Sequence, residues 1–111
     1  MNDTTLKQFG ENEKYILQTV KQLNKDLSVT GFEILWNGNA QTAHQEIIFR
    51  LMEIIQMIRK SPILFNAWIY RVDIPEKSMR RILQQTDETL AMAHAILERT
   101  FIKIMFRNAK I

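Results

Sequence analysis

A chain of 111 residues with 46% apolar content can build one domain around one core, and it is too apolar to be disordered as a whole. It has no cysteine, which excludes disulfides, thiolate nucleophiles and cysteine-ligated zinc or iron–sulfur centres and fits a reducing, cytoplasmic compartment. The formal net charge of +3 is uneven: residues 1–60 hold seven Lys or Arg against seven Asp or Glu, whereas 61–111 hold eight against five.

The opening residues, MNDTT, are polar and lack the apolar stretch of a secretory signal peptide. A first helix is expected over 3–27, where Leu6, Phe9, Ile16, Val20, Leu23 and Leu27 recur by threes and fours once Glu13 is admitted to the series. Gly10 weakens its early part by about 1 kcal/mol relative to Ala, so the first ten residues are expected to fray or to pack only in an oligomer.

The stretch 28–38 (SVTGFEILWNG) is a connection bounded by Gly31 and by Asn37 with Gly38. Phe32, Ile34, Leu35 and Trp36 are too apolar for a solvated loop. An extended segment plugging the end of a bundle is expected, and a strand over 29–36 is the competing reading.

A second helix is expected over 40–60, with Thr42 and Gln45 as a capping box. Ile47, Ile48, Leu51, Ile54, Ile55 and Ile58 form a wide apolar face that Phe49, Met52 and Met57 extend nearly all round. Such a helix belongs at the centre of the core. Ser61 and Pro62 then offer an N-cap and a first-turn proline for a short helix over 62–71, with alternation over 69–74 leaving a strand as the other reading.

The longest expected helix covers 75–107. Asp73 is its expected N-cap, Glu76 the reciprocal capping-box residue, and Pro75 lies in the first turn. Met79, Leu83, Leu90, Ala93, Leu97 and Ile104 make a heptad-like seam, broadened by Ile82, Ile96, Phe101 and Met105, with Thr86 and Thr100 in the two gaps. Such a rod would span roughly 50 Å, against a radius of gyration of about 13 Å for a domain of this size. Either it breaks in the polar run at 84–89 (QQTDET) or a second subunit shares it. The lack of Gly or Pro there favours continuity, and with it a homodimer.

These elements define an all-α helical bundle, a single domain over 1–111 with three long helices (3–27, 40–60, 75–107) and one short one (62–71). Its chemistry is sparse. Gly10, Gly31 and Gly38 are the only glycines and make no phosphate loop, and no serine stands in a nucleophile context. No catalytic residue and no cofactor is therefore expected. His94, Glu98 and Asp87 share one helical face, and His44 lies near Glu46 with Glu53 further along. The Glu-x-x-His repeat of carboxylate bundles is missing, because Ala91 and Gln41 stand three residues before the two histidines. No metal is expected.

Two basic clusters remain: Lys77, Arg80 and Arg81, and a stripe of Arg99, Lys103 and Arg107 at four-residue spacing. Cations in a row suit phosphate contacts, yet cations in the last turns of a helix also meet its dipole. A solvated helix face is the main reading and a nucleic-acid site the alternative. The apolar and basic tail from Arg99 onward would suit a lipid surface, but burial in the bundle is favoured and no membrane partner is expected. The function expected on this basis is a non-catalytic helical interaction or scaffolding subunit that self-associates. Weak nucleic-acid binding or regulation through the basic C-terminal helix is the alternative.

Overall fold

Two interruptions decide how the apolar faces of this chain meet. The first is Asn12, whose Oδ1 accepts from the backbone N–H of Lys14 at 3.0 Å and of Tyr15 at 3.3 Å. That bond satisfies the free donors of a new helix start. The second is the polar run after Leu83, where Asp87 Oδ1 accepts from Leu90 N at 3.0 Å and starts another helix.

The computed structural model describes residues 3–109. Among them are six α-helices and no strand: α1 (Asp3–Glu11), α2 (Glu13–Leu27), α3 (Ala43–Ile58), α4 (Pro62–Val72), α5 (Glu76–Ile82) and α6 (Glu88–Ala109). The all-α bundle is as expected. The helix over 3–27 is instead two helices that meet at Asn12. The first of them, α1, is helical from Asp3, and its Phe9 is fully buried and stands edge-on to Phe101 with centroids 5.2 Å apart.

The continuous rod over 75–107 does not form either. Gln84, Gln85, Thr86 and Asp87 are all exposed, and side chains of this kind compete with the helical hydrogen bonds of their own backbone. Breaking there lets α5 fold back on α6, which buries Ile82 and packs Met79 against the core. The remaining 22 residues of α6 are about 33 Å long, and they fit a molecule with a long axis of 37 Å and a radius of gyration of 13.4 Å. The length argument for a second subunit therefore loses its premise. Leu83, expected in the seam, is exposed; from Ala93 through Leu97, Thr100 and Ile104 the seam is buried.

Three expected caps take other forms. Asp73 does not start a helix; it ends α4 in the left-handed region, at φ 65° and ψ 52°, and Pro75 is the residue before α5. Thr42 precedes α3 but makes no side-chain bond to its free N–H groups; its hydroxyl lies 2.8 Å from Glu46 Oε1. Ser61 precedes α4 and Pro62 opens it, as the sequence implies, again without a side-chain cap bond.

The central element is α6, which packs against α2, α3, α4 and α5. The role expected for the helix over 40–60 thus passes to α6. α3 buries Ile47, Ile48, Leu51, Ile54, Ile55 and Ile58 against α1, α4 and α6, but Phe49 and Met57 face outward. The connection after α2 is extended and carries no strand pairing. Asn24 stands in for a neighbouring strand: its Oδ1 accepts from Ile34 N at 2.6 Å and its Nδ2 donates to Ile34 O at 2.9 Å. With both backbone groups satisfied, the Ile34 side chain can be buried in the core.

Candidate interaction surface

The expected basic stripe on α6 serves the fold. Arg99 Nε donates to Asp73 O at 3.0 Å, and its Nη2 lies 3.1 Å from Asp73 Oδ2. One turn on, Lys103 Nζ donates to Val72 O at 2.7 Å and to Arg71 O at 3.4 Å. These are terminal carbonyls of α4, which no intrahelical donor reaches. Arg107 Nη2 donates to Gln22 Oε1 at 2.8 Å, and Gln22 Nε2 donates to the buried Asp26 Oδ1 at 3.1 Å, so the third cation closes the seam between α2 and α6. Sequence reasoning missed these partners because they lie 85 and about 30 residues away in the chain.

Lys77, Arg80 and Arg81 are exposed on α5, and among the described residues their charged groups have no ion pair or hydrogen bond. The two basic clusters meet where Arg81 and Arg99 line a cleft of about 450 Å3 between α5 and α6. Its walls are apolar over Ile74, Ile82, Ala95 and Ile102.

The histidines, treated separately along the sequence, are neighbours. The rings of His44 on α3 and His94 on α6 lie 5.5 Å apart and tilted by 38°, and Phe9 stands edge-on to His44 with centroids 6.4 Å apart. Burial holds both imidazoles below their usual pKa, with the neighbouring His94 adding to the effect at His44 and Glu98 opposing it at His94. Among the described residues the buried His44 Nε2 has no hydrogen-bond partner. The signal for this contact was present: His44 precedes Ile47, Ile48 and Leu51 by three, four and seven positions and so shares the core face of α3.

Three of the four acids that accompanied the histidines in sequence are engaged elsewhere. Asp87 caps α6, Glu46 accepts from Thr42 and Asn37, and Glu53 pairs with Arg50. Among the described residues no group of three or more His, Asp or Glu could hold a metal ion.

Large outward-facing apolar side chains lie on α4, around α3 and, as Phe106, near the end of α6. Ile63 is 82% exposed and Tyr70 87%, seven positions apart and therefore on one face of α4. α4 is almost wholly apolar (PILFNAWIYRV), yet Trp68 and Val72 are its buried residues. A shallow hollow beside α3 is lined by Leu35, Phe49, Glu46 and Arg50, with Leu35 and Phe49 both exposed. Among the described residues no helix is long and apolar enough to cross a membrane. Comparison with protein-family models, with curated proteins and with solved structures finds no match to this chain.

Proposed function

We propose that this chain is a non-catalytic helical interaction subunit and that the outer face of α4 is where its partner docks. The observation that carries this reading is the mismatch on α4: a helix apolar nearly all round turns Ile63 and Tyr70 to solvent. A helix of that composition is ordinarily buried on more than one side. The gathered polar groups fit a non-catalytic role, since Arg99, Lys103, Arg107, Gln22 and Asn24 all tie backbone or neighbouring side chains together. A cytoplasmic location belongs to the same proposal, because a chain without cysteine needs no oxidising compartment to fold.

A second copy is the partner to test first, since two-fold pairing buries one apolar face against its equal and is the commonest closed symmetry. Sedimentation equilibrium should give twice the chain mass of 13.2 kDa for the wild type. The variant with Ile63→Glu and Tyr70→Glu should sediment as a monomer with unchanged helical circular dichroism. A wild type that stays monomeric at every concentration removes the second copy as partner. A variant that associates like the wild type removes α4 as the contact face.

A further inference from the structure

We propose that the cleft between α5 and α6 binds a small amphipathic carboxylate, its head held by Arg81 and Ser78 and its apolar part laid against Ile82, Ala95 and Ile102. The cleft is distinct from the exposed α4 face. Its volume of about 450 Å3 lies within the range of small-molecule sites, roughly 300–1,000 Å3, and is too small for a partner helix. Mostly apolar walls with a few polar groups, here on both the α5 and the α6 side, are the usual make-up of such a site.

The charge pattern selects the ligand. Arg99 already uses its Nε and Nη2 on Asp73, so fewer of its donors are open to a ligand. Arg81 carries a guanidinium with no partner among the described residues, and Ser78, three positions earlier on the same face of α5, has a hydroxyl with none. A planar guanidinium beside a hydroxyl donor matches one carboxylate better than a cation or a neutral head group. The head is therefore placed on the α5 side and the chain of the ligand across the alanine and isoleucines. A second negative charge on the ligand would meet Arg99, whose Nε and Nη2 already engage Asp73, or His94, whose burial disfavours the charged ring, so a monoanion is expected.

The test uses the full chain and sodium decanoate below its micelle concentration, followed by amide chemical shifts. Saturable shifts are expected at Ser78, Arg81, Ala95 and Ile102. Decyltrimethylammonium should neither produce them nor compete. Arg81 is exposed, so Arg81→Gln should melt like the wild type while binding decanoate about tenfold or more weakly, the usual effect of losing one charge-assisted hydrogen bond. Absence of saturation, equal binding of the decyl cation, an unchanged affinity in Arg81→Gln, or shifts centred on Ile63 and Tyr70 would each overturn the assignment.

Discussion

Arg99 on α6 grips Asp73, the single described non-glycine residue in the left-handed region, through both its backbone carbonyl and its carboxylate. The contact holds the corner where α4 ends and the chain turns toward α5. With Lys103 on Val72 O and Arg71 O one turn further along, α6 fastens the end of α4 at two levels.

The components of this clasp should separate by mutation. The ion pair itself is weak, because the Asp73 side chain is 74% exposed, so a double-mutant cycle of Arg99→Met with Asp73→Asn should give a coupling of only about 0.5 kcal/mol. Arg99→Met should cost about 1 kcal/mol, since the carbonyl contact is lost as well. Asp73→Gly keeps that carbonyl and removes about 1 kcal/mol of left-handed strain, so it should be close to neutral. Lys103→Met should cost about 1–2 kcal/mol by leaving carbonyls of α4 without their charged donor. Urea melts measure all four. If the cations of α6 were merely solvated, Arg99→Met and Lys103→Met would leave the midpoints in place.

The two interruptions make a second prediction. Asn12→Ala and Asp87→Ala should each lower stability by about 1 kcal/mol, because each removes the side-chain acceptor at a helix start. For a domain of this size each change corresponds to a fall in melting temperature of about 4 °C. The sites are far apart in the chain and share no partner, so the double variant should show the sum. Thr42→Ala should fall short of either, because Thr42 makes no side-chain bond to the start of α3.

The paired imidazoles predict a pH dependence. Both His44 and His94 titrate below their ordinary value of 6.5 in the folded chain, chiefly because burial disfavours the charged ring. In the unfolded chain they titrate near 6.5, so the unfolded state takes up protons first as the pH falls. Stability should be flat with respect to these groups well above pH 6.5 and should decline as the pH drops through and below it, until the folded-state rings also protonate. Thermal melts from pH 8 to pH 5 should show that decline, and the variant with His44→Gln and His94→Gln should reduce it. A wild type with the same acid slope as the double variant would rule out the histidine contribution.

The all-α class was written in the sequence, because Phe9, Ile16, Ile47, Leu51, Ala93, Leu97 and the residues between them keep a helical period that the backbone must obey wherever the chain goes. Weak points were visible too, in Gly10 and in the polar run at 84–89, but the first break falls at Asn12, and the lack of Gly or Pro at 84–89 favoured a continuity that the chain does not keep. Tertiary packing decided that. Starting α6 only at Glu88 lets α5 return its apolar face to the core, a gain that no local propensity encodes. The same holds for the cations: Arg99, Lys103 and Arg107 looked like a free stripe because a sequence displays charge but not the distant carbonyl or amide oxygen that meets it. Whether a polar side chain serves the fold or faces outward depends on partners brought near by the collapse of the whole chain, and here that collapse tied down the α6 stripe while leaving Arg81, Ile63 and Tyr70 on the outside.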